Sequence, residues 1–504
     1  MSVHWSILRQ QIAHPFRTAV IDDQRQWRGI DLMVASLHMA SAIERKTDAQ
    51  NIGIMLPTSG LFPVAALASW MLGRTVVPLN YLLKGDDLEY VCHHAELDTI
   101  VSVQPMMDFI GFHPRGVRFL KFEDINFKSI PAWKWPASIP DEELAVILYT
   151  SGTTGRPKGV MLTHANLRAN VDQCVEWAHF TQRDSVLGVL PQFHSFGLTV
   201  LTLLPLARGV KVCFTARFLP RKIISLIREC KPTVMIAIPS MYNALLTVKD
   251  AEPDDFKTFR YLVSGGEPLP DAVSKGFKDR FGITINEGFG LTETSPVTHW
   301  CRPTEYKPHS VGKPIPHVRQ RIVGVNEEEM PVGEEGEIRL AGPNIMKGYY
   351  KDPEATAKVM DDQGFFRTGD MGKIDEDNML YITGRIKEMM IIGGENVFPR
   401  EIEEVLNSHE SVSSSAVIGA PDPARGEVPI AYVETLEEYP FDETSLRSHC
   451  RKHLAQYKVP REIHHLEQLH RSPTGKILRR ELRESFKASF DAEKAAGHSG
   501  REAS

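Results

Sequence analysis

The segment Tyr149-Thr-Ser-Gly-Thr-Thr-Gly-Arg-Pro-Lys-Gly159 concentrates anion-binding chemistry. Glycines let backbone N–H groups approach an oxyanion closely, hydroxyls add donors, and a lysine adds positive charge. Thr150, Ser151, Gly152, Thr153, Thr154 and Gly155 are the candidate cradle, and Lys158 is the candidate cation. The apolar run Leu144–Tyr149 before it reads as a strand. The expected context is therefore a loop joining a strand to a helix. A Walker loop is excluded by spacing, because that motif needs GxxxxGK[ST] and Lys158 is followed by Gly159. Taken alone, the segment means only an anion-binding loop.

The elements around it must place that loop and its partners. Thr163 reads as a helix N-cap, followed at helical spacing by Leu167, Val171, Cys174, Val175 and Ala178. Residues 186–190, 210–214, 234–238 and 261–263 read as short strands. Ile223, Leu226, Ile227 and Cys230 mark one helix face, and Val273, Phe277 and Phe281 mark another. Such alternation predicts a mostly parallel sheet with helices on both sides. Ligands of such sheets bind beyond the carboxyl ends of the strands. The polar and glycine-containing segments 150–155, 192–194, 264–267 and 287–293, with Ser240, follow strands and could line one crevice.

After residue 300 the pattern becomes short β-like pieces such as 336–340 and 379–382. From about Ile386 a smaller region is expected, with a helix over 399–406, a strand over 413–418 and a helix over 446–454. The fold class is thus α/β: a large N-terminal domain of mostly parallel sheets flanked by helices plus a β-rich part, and a smaller mobile α+β C-terminal domain. The expected division is 1–385, then 386–490, then a disordered tail over 491–504 rich in Ala, Gly, Glu and Ser.

The 504 residues carry a net charge of −6, with 42% hydrophobic and 24% charged residues. Single cores stop growing at about 250–300 residues, so more than one domain is expected. The mild acidity argues against nucleic-acid binding. The cysteines lie far apart with no CxxC pair, so no zinc or redox pair is suggested and reduced thiols are expected. The N-terminus lacks a signal pattern, and no apolar run reaches the ~18 residues of a spanning helix. The expectation is a cytoplasmic protein without a transmembrane segment. It leaves room for peripheral membrane association and for a monomer or a homodimer.

The phosphate loop closely resembles the signature of the adenylate-forming (AMP-binding) superfamily, which includes acyl-CoA synthetases, firefly luciferase and the adenylation domains of peptide synthetases. Further segments resemble that family's motifs in its order. They are Pro191-Gln-Phe-His-Ser-Phe-Gly197, Ser264-Gly-Gly-Glu-Pro-Leu269, Gly288-Phe-Gly-Leu-Thr-Glu293, Phe366-Arg-Thr-Gly-Asp370 and Gly384-Arg-Ile-Lys-Glu388 with Gly393-Gly-Glu-Asn396. Tyr457-Lys-Val-Pro-Arg461 and Ser472-Pro-Thr-Gly-Lys-Ile-Leu-Arg-Arg480 complete the series.

The resemblance implies an acid–thiol ligase using ATP, Mg²⁺ and coenzyme A. It implies Glu293 as the magnesium carboxylate and Thr292 as a phosphate contact. Gly266, Glu267, Gly288, Phe289 and Gly290 would meet the nucleotide base. Asp370, expected after a tight Thr-Gly turn, would bind the ribose, with Arg385 beside it. Lys476 would balance charge between the carboxylate and the α-phosphate. Lys387 would be the hinge about which the C-terminal domain turns, bringing Gly393 and Gly394 to the pantetheine arm. Glu267 departs from the small residue of many relatives. It is expected either to touch the nucleotide or to face solvent.

His194 is expected beside the acyl carbonyl. The stretch Phe193–Thr199 contains no acid that would hold an α-ammonium group. An uncharged acyl tail is therefore expected, in an elongated pocket for which Phe196-Gly197 and Gly265-Gly266 leave room. A medium- or long-chain fatty acid comes first and an aryl acid second. The acceptor is expected to be CoA, with a carrier protein as the alternative. A non-catalytic adenylate-binding module is disfavoured by retention of Glu293, Asp370, Lys387 and Lys476.

Overall fold

The computed structural model describes residues 2–83, 85–150, 156–436, 438–471 and 477–488. Ser151, Gly152, Thr153, Thr154, Gly155 and Lys476 lie outside the described residues, as does the expected tail.

Two large sheets dominate the first part of the chain. One runs in the order Gly348–Tyr349, Lys158–Thr163, Leu144–Thr150, Thr75–Pro78, Asn51–Ile54, Thr99–Ser102, Arg118–Lys121. Its last five strands are parallel. The other runs Lys313–Pro314, Val297–Trp300, Asn286–Gly290, Tyr261–Ser264, Val234–Ala237, Ser185–Gly188, Lys211–Phe214, Thr18–Ile21, Gln26–Arg28. It is parallel from Asn286–Gly290 through Thr18–Ile21, with antiparallel strands only at its edges. Strands such as Asn51–Ile54, Val234–Ala237 and Tyr261–Ser264 are buried at every residue. That follows from helices covering both faces of a parallel sheet, which forces continuous apolar runs rather than alternation. The apolar stretch near residue 62 is one such covering helix, Leu61–Met71, buried along almost its whole length.

A third sheet of four antiparallel strands follows: Arg319–Val323, Gly336–Ala341, Phe366–Ile374 and Leu380–Arg385. The last buried residue of the large hydrophobic core is Leu380, with Ile382 packed against it. From Met390 onward two small cores lie on opposite faces of the last sheet, which pairs Met390–Ile392, Glu395–Val397, Val412–Asp422, Gly426–Thr435 and Glu462–His465. Val417 points into one of these cores, and Ala416 and Ile418 into the other. This is the alternation a strand requires. The molecule is therefore a large α/β domain with parallel sheets followed by a smaller domain built on a mainly antiparallel sheet.

Three expectations are corrected. The segment 150–158 joins two antiparallel strands, not a strand to a helix, and Thr150 pairs directly with Lys158. Val160 and Leu162 recur at strand spacing and are fully buried, so Lys158–Thr163 folds back before the helix His164–Ala178 begins. The Thr163 hydroxyl then caps that helix by accepting Asn166 N–H at 3.1 Å. The segment after residue 285 is itself a strand, Asn286–Gly290. Asp370 lies within the strand Phe366–Ile374 and not after a turn. The register slips there, and Gly369 takes φ 70°, so the strand bulges beside the carboxylate.

Candidate active site

The hairpin of Leu144–Thr150 and Lys158–Thr163 in the first large sheet carries Lys158 at its base. The Lys158 ammonium lies 5.0 Å from the centre of the Tyr349 ring. The Tyr349 hydroxyl donates to Glu293 Oε1 at 2.8 Å. Burial and the neighbouring carboxylate raise the Tyr349 pKa above its usual value, which keeps it a donor. One tyrosine thus joins the candidate phosphate lysine to the candidate metal carboxylate. Tyr349 was not legible in the sequence, because strand Gly348–Tyr349 meets Lys158–Thr163 only through sheet pairing.

Glu293 sits in the short 3₁₀ turn Thr292–Thr294, after strand Asn286–Gly290. Its carbonyl is tied to Met346 N–H at 2.8 Å. The adjoining Thr292 hydroxyl lies 3.4 Å from the Ser195 hydroxyl. Gly290 is required here, since a Cβ would stand 2.0 Å from the Pro296 carbonyl oxygen. Phe289 is half-buried, its ring 6.0 Å from that of His299. The His299 Nε2 is fixed by Gln320 Oε1 at 2.7 Å. Burial holds His299 down to about 4, so a neutral ring backs Phe289 at neutral pH.

The turn after Tyr261–Ser264 is anchored on two sides. Gly265 N–H donates to the Ala237 carbonyl at 3.2 Å, and Leu269 N–H donates to Glu287 Oε2 at 3.2 Å. A Cβ on Gly265 would lie 2.9 Å from the Phe196 ring. The room left by the missing side chain of Gly265 is therefore occupied by the Phe196 ring. Gly197 is equally closed, its Cβ position being 2.0 Å from the Pro191 carbonyl oxygen. Gly266 is exposed with φ 88°. Glu267 neither points free into solvent nor stands alone in the turn: its Oε1 accepts Ile477 N–H at 3.0 Å.

His194 is half-buried and caps the helical turn Ser195–Leu198, its Nδ1 accepting Phe196 N–H at 3.4 Å. A π-helical turn, Thr199–Leu203, follows, and such turns are frequent at functional sites. Asp370 is buried and pairs with Arg385, Nε to Oδ1 at 2.8 Å, from directly across the sheet. The Asp370 charge raises the Arg385 pKa. Lys387 is exposed in the turn Ile386–Glu388. Gly393 and Gly394, at φ 62° and 91°, form the two-residue tip between Met390–Ile392 and Glu395–Val397. Positive φ at both positions is what a tight hairpin of this twist demands.

The donors around Glu293 suit magnesium through one protein carboxylate, with nucleotide phosphates supplying other oxygens. Among the described residues no group of three or more acidic, histidine or cysteine side chains forms an all-protein metal cage.

Residues 8–350 match the family described as AMP-binding enzyme, and residues 401–476 match the AMP-binding enzyme C-terminal domain. The chain belongs to the AMP-binding enzyme family. This AMP-binding enzyme is 31% identical, over 536 aligned positions, to a long-chain-fatty-acid–CoA ligase of Bacillus subtilis (strain 168), covering 95% of this chain and 94% of the relative. It is 33% identical over 425 positions to a feruloyl-CoA synthase of Amycolatopsis sp, covering 82% and 84%. The ATP-bound crystal structure of MatB from Rhodopseudomonas palustris superposes with TM-score 0.87 at 29% identity, covering 97% of this chain and 99% of that one. The apo structure of the same protein, over the same shares, gives 0.77. The AMP-binding enzyme described here is thus an acid–thiol ligase of the acyl-CoA ligase type. No helix among its described residues is long and apolar enough to cross a membrane.

Proposed function

We propose that the protein activates a medium- or long-chain fatty acid and passes it to CoA. A carboxylate oxygen attacks the α-phosphorus of ATP, the bond to the β-phosphate bridging oxygen breaks, and pyrophosphate leaves. The CoA thiol then attacks the acyl carbon, and AMP leaves. The observation that carries this reading is the convergence of Lys158 and Glu293 on Tyr349. A cation and a carboxylate joined through one ring suit a polyphosphate with its metal, because displacement at phosphorus depends on positioning and charge neutralisation.

In this reading residues 150–155 and Lys158 hold the β- and γ-phosphates. Thr292 and Glu293 face the phosphates, and the bound Mg²⁺ supplies charge neutralisation there. Phe289 stacks on adenine beside Gly266, Gly288 and Gly290. Asp370 accepts from the ribose hydroxyls, and Arg385 pairs with that carboxylate. His194 stands by the acyl carbonyl. Lys476 neutralises the α-phosphate in the first step. Rotation near Lys387, between the large core and the small ones, brings the Gly393–Gly394 tip to the pantetheine arm for the second. A cytoplasmic location goes with this use of ATP and CoA.

The absence of an acid in Phe193–Thr199 and the likeness to a long-chain ligase support an apolar acid. An aryl acid is the second reading, supported by the Phe196 ring closing over Gly265 and by the likeness to a feruloyl-CoA synthase. The test is a panel of fatty and aryl acids with ATP, with and without CoA. AMP with CoA-dependent thioester supports the reading. Acyl-AMP that never responds to CoA points to a carrier-protein acceptor, and no pyrophosphate with any acid overturns it. Lys476→Ala is expected to lower pyrophosphate release by about 10²–10³ while ATP still binds, as for loss of one preorganised charge.

A further inference from the structure

Glu267 belongs to the turn that follows Tyr261–Ser264, yet its hydrogen-bond partner comes from the far end of the chain. Oε1 accepts the N–H of Ile477 at 3.0 Å. Ile477 forms an antiparallel bridge with Arg471, and Leu478 N–H donates to the His470 carbonyl at 2.8 Å. Lys476 is therefore the residue immediately before a backbone amide that is fixed from two directions. Two residues further on, the Arg479 guanidinium grips Glu403 at 3.0 and 2.7 Å and lies 3.9 Å from Glu388. Burial works against the charge of Arg479. The carboxylates of Glu403, Glu388 and Glu267 nonetheless hold it protonated above its usual range.

The acceptor side is equally firm. The Ala237 carbonyl and Glu287 hold the turn at both ends, so Glu267 is a fixed point on the large domain. The donor side packs with the small domain, where Ile477 lies against the core that contains Leu469 and Leu482. A single carboxylate thus spans the two domains beside the nucleotide turn.

We propose, on the adenylation reading above, that Glu267 is a positioning residue which docks the C-terminal domain for the first step through the amide of Ile477. The Ile477 amide, next in sequence to the adenylation lysine, is then held at the nucleotide turn. The second step needs the C-terminal domain in another orientation, so this bond breaks between the steps. Glu267 accordingly favours adenylation over thioester formation and does not serve ATP affinity.

The test uses the full-length enzyme, with Glu267→Ala and Glu267→Gln. Adenylation is read as ATP-dependent pyrophosphate release, and thioester formation is read from synthetic acyl-adenylate with CoA. Glu267→Ala is expected to lower the ratio of the two rates about tenfold, through kcat and with little change in the KM for ATP, as for loss of a charge-assisted acceptor. Glu267→Gln keeps an acceptor oxygen and is expected to recover most of the ratio. Hydrogen exchange of a peptide spanning Ile477–Leu482 gives a readout independent of the acid and is expected to quicken in Glu267→Ala. A raised KM for ATP with kcat intact would overturn the proposal, as would an equal fall in both half-reactions or unchanged exchange. If no acid is activated by the wild type but Glu267→Ala still quickens exchange, the docking contact stands and the adenylation reading falls.

Discussion

Tyr349 performs two tasks with one side chain. Its face receives Lys158 and its hydroxyl donates to Glu293 at 2.8 Å. Tyr349→Phe keeps the ring and removes only the donor, so Glu293 loses one fixed hydrogen bond while Lys158 keeps its seat. A hydrogen bond to a charged group contributes about 1.5–3 kcal/mol. Glu293 is partly exposed, so the lower end applies, and adenylation is expected to slow about tenfold with a raised magnesium requirement. Pyrophosphate release measured across a magnesium titration checks this; an unchanged profile would remove Tyr349 from the site. The candidate residues differ in how legible they were. Lys158, Glu293 and Asp370 stand in local motifs whose residue types announce ionic chemistry. Tyr349 and Ile477 act through a ring face and a backbone amide, and neither carries a sequence mark.

At the scale of elements, the N-terminal helix Val3–Ala13 is seated on the start of the helix His164–Ala178 by two buried histidines. Val3 N–H donates to His164 Nδ1 at 3.4 Å, and His4 Nε2 bonds to the Ala137 carbonyl at 3.2 Å. His4 Nδ1 is buried without a partner, so a second proton there has no acceptor, and His164 Nδ1 already accepts from Val3, so a second proton there would break that bond. Burial lowers His4 from 6.5 to about 4, and burial with the nearby His4 lowers His164 to about 3. The unfolded chain takes these protons near 6.5, before the fold does. Stability is therefore full above that pH and falls as the pH drops toward 4, by about 1.4 kcal/mol per unit for each histidine. The thermal midpoint is expected to decline across this window, and His4→Gln with His164→Gln to flatten the decline. Equal slopes would show that other groups dominate. The hairpin of Leu144–Thr150 and Lys158–Thr163 teaches a related lesson about elements. The Gly/Ser/Thr loop was evident as a loop, but whether it led to a strand or a helix depended on a partner strand pairing with Val160 and Leu162.

At the scale of the molecule, the last buried residue of the large core is Leu380 and the small cores begin at Met390, with Lys387 between them. Lys387→Pro removes a backbone donor and fixes φ at this link. It is expected to spare pyrophosphate release and to lower thioester formation from synthetic acyl-adenylate by at least about tenfold; equal losses in both would contradict a hinge there. The sequence by itself determined the α/β class, the change of pattern near residue 386 and the ordered motifs of an AMP-binding enzyme. The first two depend on local composition and periodicity and the last on resemblance of short motifs, all of which a chain carries without folding. Only the tertiary structure decided that Phe196 occupies the space beside Gly265, that Tyr349 links Lys158 to Glu293, and that Glu267 holds Ile477. Each is a contact between segments far apart in the chain, fixed by sheet register and by how the two domains meet, and no local pattern encodes either.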